Sequence, residues 1–145
     1  MKSNLKRTIL VLTFMMIAGA NYVYGQCDKT ITLKSSKTVM LDEEGKIERT
    51  KDEATTITIS AKEISIVPGD NDANVMSGPV TATTCKWTTP YKEGKTVVKG
   101  TLTNGNGNEL HATLTIVGVD GKVTLTFEAE EKGKRKVQVV ADKFE

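Results

Sequence analysis

The sequence predicts an all-β domain: an antiparallel up-and-down meander of about eight strands in a closed or nearly closed barrel, with a β-sandwich as the alternative. Three observations support this prediction. Beyond position 25, threonine accounts for about one residue in six, with many valines and isoleucines besides, and β-branched residues fit pleated strands better than helices. Apolar and polar residues alternate in several runs. Residues that favour turns separate those runs.

The alternation begins with TITLKSSKTVML (30–41), whose apolar residues share one parity, so that Ile31, Leu33 and Val39 are predicted to face the core. Met40 is the exception, an apolar residue at the polar parity. Four further runs alternate in the same way: ATTITIS (54–60), ELHATLTIV (109–117), KVTLTFEAE (122–130) and RKVQVVADKF (135–144). A period of two with one polar face is typical of antiparallel strands half covered by a core.

Turn residues fall between the runs. Each of the following segments supplies Gly, Asn, Asp or Pro where the backbone must reverse: DEEG (42–45), PGDND (68–72), PYKEG (90–94), NGNGN (104–108), DG (120–121) and EKGK (131–134). A tighter reversal near Ala61-Lys62 would pair TTITIS (55–60) with EISIV (63–67). This spacing predicts a chain of hairpins in sequence order.

Residues 1–25 have the parts of a secretory signal peptide. Three cations without an acid open the chain, the apolar run 9–20 follows, and Val23 and Gly25 fit the −3 and −1 positions of a cleavage site before Gln26. The apolar run is shorter than the ~20 residues of a membrane-spanning helix; a buried first helix is the alternative. We expect residues 26–145 to be a single exported domain, periplasmic or secreted, without a transmembrane segment.

Cleavage before Gln26 changes the charge of the domain. The full chain has 20 Lys and Arg against 18 Asp and Glu, a net charge of +2. Loss of Lys2, Lys6 and Arg7 leaves 17 against 18, a net charge of −1. Because nucleic-acid binding needs a clustered cationic surface, no nucleic-acid partner is expected.

Cys27 and Cys85 are the two cysteines of the chain. A lipid anchor on Cys27 is one alternative, but Gln26 is a poor match to the small residue that precedes a lipoprotein cysteine. A zinc site needs three or four ligands, and a catalytic thiol usually needs a neighbouring base. In an exported chain the simplest interpretation is a Cys27–Cys85 disulfide.

The position of the single tryptophan distinguishes the two candidate architectures. An immunoglobulin-like sandwich has a tryptophan between its two cysteines and a tyrosine two residues before the second. Here Trp87 follows Cys85, and Thr83 is two residues before it. A series of adjacent hairpins closes more naturally into a barrel, which also removes exposed strand edges.

From ITLKSSKTVMLDEEGKIERT through CKWTTPYKEGK to KVQVVADKFE, the chain resembles small secreted lipocalin-like or calycin-like barrel proteins of Gram-negative bacteria. The resemblance is one of strand order and turn style. The lipocalin signature of glycine, any residue and tryptophan is missing from the first strand. The resemblance implies a barrel and, as an alternative function, carriage of a small apolar or amphipathic ligand.

Three residues are candidates for ligand binding. Trp87 and Tyr91, in WTTPY beside the predicted disulfide, would either stack on a flat ligand at the barrel mouth or plug the barrel end. Arg135 shares the parity of Val137 and Val139, so it is a candidate to hold a ligand carboxylate in a bidentate pair. Its alternative is a solvent contact beside a turn.

Four other motifs are interpreted as structural. DNDAN (70–74) opens like a calcium loop but lacks the later glycine and glutamate of that motif. NGNGNE (104–109) lies between strands, unlike a dinucleotide fingerprint. His111 faces away from its strand's apolar parity, and KGKRK (132–136) fits a solvated turn. No metal and no cofactor are expected.

The sequence favours a non-catalytic exported module that acts through its surface as a structural or interaction protein, with an unknown protein partner. The alternative is a carrier of a small apolar or amphipathic ligand, because an eight-stranded barrel can be filled by side chains or hold one small ligand. We do not expect an enzyme, because no nucleophile–base pair, metal set or cofactor loop stands out.

Overall fold

A computed structural model describes residues 26–145; the predicted signal peptide, residues 1–25, lies outside the described residues. The described part is all-β. Its strands are β1 (Ile31–Leu41), β2 (Ile47–Ile59), β3 (Glu63–Pro68), β4 (Met76–Thr89), β5 (Glu93–Thr103), β6 (Glu109–Val119), β7 (Lys122–Ala129), β8 (Lys136–Val140) and β9 (Lys143–Phe144). Single-turn 3₁₀ helices cover Asp72–Asn74 and Glu130–Lys132. No helix in this part of the chain is long and apolar enough to cross a membrane.

The first eight strands form a closed antiparallel barrel, as predicted. Each strand from β1 to β7 pairs with the next along the chain, and β8 pairs with β1, where Thr38 lies opposite Val139. Closure leaves the barrel strands without a free edge, which protects them from pairing with other chains. The architecture is consistent with a lipocalin-like fold in general.

The connections divide the barrel into two ends. The end that we call the disulfide end carries segment 26–30 and the connections at 60–62, 90–92 and 120–121. The opposite end, which we call the loop end, carries the connections at 42–46, 69–75, 104–108 and 130–135. The six predicted turns and the reversal near Ala61 fall at these connections.

The core consists of inward-facing aliphatic side chains from every barrel strand except β4. The largest fully buried ones are Leu33, Ile64, Val98, Leu102, Leu114, Ile116 and Leu125. Within a strand the buried side chains come from alternate residues, because successive side chains in a strand point to opposite faces. These residues belong to one hydrophobic cluster, so much of the barrel interior is filled.

A β-bulge in β1 exchanges the two faces of this strand. The pairing of β1 with β2 shifts between Ser35 and Lys37. Beyond the shift Thr38 is buried opposite Val139, so Val39 belongs to the outer face. The prediction that Val39 faces the core is therefore wrong, because an extra residue in a strand reverses the alternation that follows it.

The run 135–144, which was predicted as one strand, is interrupted at 141–142. The Ala141 N–H donates to the Val123 carbonyl oxygen at 2.8 Å, so the chain leans toward β7. The Asp142 carboxylate accepts from the Ser36 N–H at 2.6 Å. After this break β9 pairs with the beginning of β1, which places the end of the chain at the disulfide end.

Candidate functional site

The disulfide end is closed by a covalent link. Cys27 and Cys85 form the predicted disulfide, with their Cα atoms 5.8 Å apart. The bond ties the segment before β1 to the later part of β4. The Thr96 hydroxyl donates to Cys85 Sγ at 3.3 Å from the neighbouring strand. A structural disulfide indicates an oxidising environment.

Three half-buried aromatic residues, Trp87, Tyr91 and Phe144, pack together at this end and form what we call the aromatic plug. The Phe144 ring lies 5.8 Å from that of Trp87 and 5.3 Å from that of Tyr91, centroid to centroid. These separations are typical of packed aromatic pairs. The Trp87 indole N–H donates to the Thr96 hydroxyl at 2.7 Å, which satisfies its polar atom.

Two glycines on neighbouring strands make room for the indole. Gly94 and Gly118 lie opposite each other on β5 and β6. A Cβ atom on Gly94 would come within 2.6 Å of Trp87 Cδ2, and one on Gly118 within 2.6 Å of Trp87 Cζ3. Real Cβ atoms do not approach this closely. The indole of Trp87 therefore occupies the space that a side chain at position 94 or 118 would need.

Gln26 is buried beside this plug. Its side-chain carbonyl oxygen accepts a hydrogen bond from the Tyr91 N–H, and Tyr91 has a left-handed backbone with φ of 60°. Gln26 and both cysteines also line a cavity of about 170 Å³ at this end. The hydrogen bond from residue 91 to residue 26 helps to hold the segment before β1 against the turn between β4 and β5.

The loop end, by contrast, carries an apolar recess. Two adjoining cavities of about 210 and 240 Å³ share four lining residues, Met40, Met76, Phe127 and Val137. We call these cavities together the loop-end recess. Deeper in the barrel the lining includes Ile57, Ile66, Leu125 and Val139. Each shared residue comes from a different strand, and the β1 bulge is what turns Met40 toward the interior.

Charged side chains surround the outer part of the recess. Lys132, Arg135, Lys136 and Glu48 line the cavity of about 240 Å³. The Arg135 guanidinium lies 3.8 Å from the Glu48 carboxylate and is two-thirds exposed, at 66%. Lys136 lies 2.9 Å from Glu128 on β7. Three cations and one carboxylate therefore line the outer cavity, and the carboxylate of Glu53 lines the adjoining inner cavity.

The structure separates the three predicted ligand-binding residues. Trp87 and Tyr91 lie together in the aromatic plug at the disulfide end. Arg135 lies at the opposite end, on the rim of the loop-end recess. Sequence reasoning missed Met76 and Phe127 as lining residues. For Met40 the signal was present, since an apolar residue at a polar parity marks a place where the alternation changes.

The outer wall of the barrel has a small apolar patch. Val117 and Val140 both lie opposite Thr124, on either side of β7. Val119, next to Lys122 at the β6–β7 turn, is 60% exposed, and Val140 is 39% exposed. We call Val117, Val119 and Val140 the valine patch. It lies on the outer face of β6 to β8 and reaches the disulfide end of the barrel at Val119.

His111 forms an ion pair on the surface. Its ring Nδ1 lies 2.6 Å from a carboxylate oxygen of Glu131, and its backbone N–H donates to both oxygens of that carboxylate at 3.0 Å. The hydrogen bond and the negative charge of Glu131 raise the pKa of His111 from its ordinary value of 6.5. The same hydrogen bond lowers the pKa of Glu131 from 4.5.

The remaining motifs form local structure. In DNDAN the Asn71 carboxamide oxygen accepts from the Ala73 N–H, capping the first 3₁₀ helix. In NGNGN the Asn104 carboxamide oxygen accepts from the N–H groups of Asn106 and Asn108 within the β5–β6 hairpin. Within residues 26–145, no three His, Cys, Asp or Glu side chains converge as metal ligands would.

Comparisons of the chain with family models, with curated proteins and with solved structures found no match.

Proposed function

We propose that the chain is an exported, non-catalytic barrel that binds a small amphipathic anion at the loop end. The apolar part of the ligand occupies the loop-end recess, and its acidic head binds Arg135. The observation that carries this proposal is an apolar recess rimmed by cations at one end of a barrel whose other end is closed by a disulfide and an aromatic plug. This is the lipocalin-like carrier function in its simplest form.

The dimensions of the recess limit the ligand. Drug-sized ligands occupy pockets of about 300–1,000 Å³, and each of the two cavities is smaller, at about 210 and 240 Å³. Because the cavities adjoin, one flexible chain can extend through both. A short acyl chain therefore fits better than a sterol or a long fatty acid, and its head stays near solvent.

The charge on the rim determines the head group. Arg135 donates several N–H groups in a fixed fork that matches a carboxylate. Its present partner Glu48 is 3.8 Å away and about half exposed, at 49%, and exposed ion pairs contribute little. A ligand carboxylate can therefore replace Glu48 as the partner of Arg135 at small cost, with Lys132 nearby.

Isothermal titration calorimetry with decanoate tests this proposal, with decanol as the neutral comparison. We expect saturable binding of one decanoate per chain and weaker binding of decanol. Arg135→Gln should weaken decanoate binding by up to about fivefold, because an ion pair made by an exposed arginine contributes little. Val137→Phe should abolish the binding of both compounds. Val137 lines both cavities, and the larger phenylalanine ring would fill the space where they meet.

Lys99→Gln is the matched control for this experiment. Lys99 is an exposed cation on the outer face of β5, so its loss changes the net charge equally without touching the recess. Equal decanoate affinity in the wild type and in Arg135→Gln would contradict the assigned head-group site. Absence of any saturable decanoate binding would refute the carrier function.

A second candidate function is docking of a protein partner on the outer wall, for which the exposed valine patch is the specific observation. A photo-crosslinking amino acid at position 119 would then capture one defined protein in the exporting host, whereas the same probe at position 106, in the β5–β6 turn, would not. Val119→Lys should prevent this docking and leave decanoate binding unchanged. Crosslinking at both positions alike would contradict a docking role for the patch.

A further inference from the structure

Gln26 has a buried amide that is only half satisfied. The residue is 3% exposed. Its carbonyl oxygen accepts from the Tyr91 N–H, but its amide nitrogen Nε2 is buried without a hydrogen-bond partner among the described residues. A buried donor without a partner costs free energy, so each one calls for an explanation.

Water does not explain this unpaired nitrogen. Gln26 lines the cavity of about 170 Å³ at the disulfide end, yet Nε2 itself has less than 1 Å² of accessible surface. A water molecule in the cavity therefore has no contact with Nε2. Exchanging the oxygen and nitrogen of the amide does not help either, because two N–H groups, from Tyr91 and from Gln26, would then face each other.

We propose that Gln26 is the first residue of the exported chain and is converted to pyroglutamate. The inference rests on the expected cleavage between Gly25 and Gln26, which frees the α-amine of Gln26. The lone pair of this amine attacks the side-chain carbon Cδ. The N–Cδ bond forms, the Cδ–Nε2 bond breaks, and Nε2 leaves as ammonia with a proton from the amine. No oxidant, reductant or co-reactant is needed.

The product suits this environment better than the precursor. The reaction removes the nitrogen that lacks a partner and keeps the carbonyl group that accepts from Tyr91. It also removes the α-ammonium charge that cleavage would otherwise leave at a buried residue, where an unpaired charge is strongly disfavoured. The resulting neutral lactam lies next to Cys27, so the ring and the disulfide together hold the start of the domain against the turn between β4 and β5.

Mass spectrometry of the full chain, exported by a Gram-negative host from its own leader, tests this inference. We expect a mature chain that starts at residue 26 and is lighter than its sequence by one ammonia, in addition to the two hydrogens lost in the disulfide. The N-terminal peptide should carry the ring. A chain that starts at Gln26 and keeps a free amine would overturn the inference, as would a chain that starts at any other residue.

Two variants and one enzyme make the test specific. In Gln26→Asn the α-amine could form only a strained four-membered lactam, and Gln26→Glu cyclises far more slowly because a carboxylate is a poor electrophile, so neither variant should carry an N-terminal lactam. Pyroglutamyl aminopeptidase should release the ring from the reduced, unfolded protein but not from the folded one. A blocked N-terminal amine in Gln26→Asn, or equal release from folded and unfolded protein, would contradict a buried ring at this position.

Discussion

Gly118 has no side chain beyond a hydrogen atom, and this leaves space for the ring of Trp87. A Cβ atom there would lie 2.6 Å from Trp87 Cζ3 and 2.7 Å from the carbonyl oxygen of Lys92. Gly118→Ala should therefore destabilise the protein by about 1–3 kcal/mol, the usual cost of overpacking a well-packed site. Urea unfolding measured by far-ultraviolet circular dichroism gives this difference.

A double-mutant cycle identifies the cause of the Gly118 effect. If the indole is the obstacle, Gly118→Ala should cost less in a Trp87→Phe background, because the smaller ring leaves part of the space free. The clash with the Lys92 carbonyl remains, so the rescue should be partial. A cost that does not depend on residue 87 would assign the effect to the backbone alone.

The His111–Glu131 pair makes a contribution to stability that depends on pH. Because the pKa of His111 is raised above 6.5, its contribution is complete below that pH and is lost as the pH rises through the raised value. Because the pKa of Glu131 is lowered below 4.5, its contribution is present above that pH and is lost as the pH falls through the lowered value. The pair therefore stabilises the fold most between about pH 4.5 and 6.5.

Thermal unfolding from pH 4 to 9 measures this dependence. The Tm difference between the wild type and His111→Gln should be largest in that window, shrink toward pH 9, and decrease with added salt, since exposed charges are screened. Glu131→Gln should give the same profile. A Tm difference that is constant across the pH range would show that the pair makes no ionic contribution.

At the scale of elements, the sequence predicted where the strands lie better than it predicted which of their residues face the core. Alternation in the run 122–130 was a sound guide, because β7 is regular and its residues keep one parity throughout. In β1 the same reasoning failed beyond Ser35, because a bulge adds a residue without leaving a Gly or Pro signal. Thr38 and Val39 are both β-branched and fit either face, so only Met40 indicated the change.

The short strand β9 is the element on which the aromatic plug depends. It holds Phe144 opposite Leu33 of β1, and the neighbouring Glu145 exchanges two backbone hydrogen bonds with Thr32, at 2.7 and 3.0 Å. Phe144→Ala should destabilise the protein by about 2–3 kcal/mol, less than the ~3–5 kcal/mol typical of a buried phenylalanine, because the ring is only half-buried. Urea unfolding measures the change.

Phe144→Leu is the matched control for the β9 prediction, since it keeps much of the apolar volume and should cost less than Phe144→Ala. Decanoate binding should not change in either variant, because β9 and the loop-end recess lie at opposite ends. Equal stability of the alanine variant and the wild type would mean that the plug contributes nothing to the fold.

At the scale of the whole molecule, the closed barrel followed from the order of hairpins, but the candidate site did not. Met40, Met76, Phe127 and Val137 come from four strands, β1, β4, β7 and β8, which are spread along the chain. Their convergence depends on how the closed sheet curves and on the register of every strand pair, which alternation within single strands does not report. Arg135 was identifiable because it shares the parity of neighbours that face inward.

The disulfide acts on the whole molecule, since its bond closes a loop that spans β1 to β4 over a sequence separation of 58 residues. In the chain-entropy model a loop of this length stabilises the folded state by about 4 kcal/mol, by restricting the unfolded chain. Replacing both cysteines, Cys27→Ser with Cys85→Ser, should lower the free energy of unfolding by about that amount. Urea unfolding of the oxidised wild type, the reduced wild type and the double variant measures it.

The double variant also tests whether the two ends of the barrel act independently of each other. Decanoate should bind it as tightly as it binds the wild type while the barrel remains folded, because the loop-end recess contains neither cysteine and none of the plug residues. The reduced wild type should match the double variant in stability, which would show that the covalent bond, and not the serine substitution, is responsible. If the double variant unfolds at the same urea concentration as the oxidised wild type, the hydrogen bonds and the aromatic plug hold the disulfide end closed without the bond. Loss of decanoate binding in a folded double variant would instead mean that the two ends are coupled through the core between them.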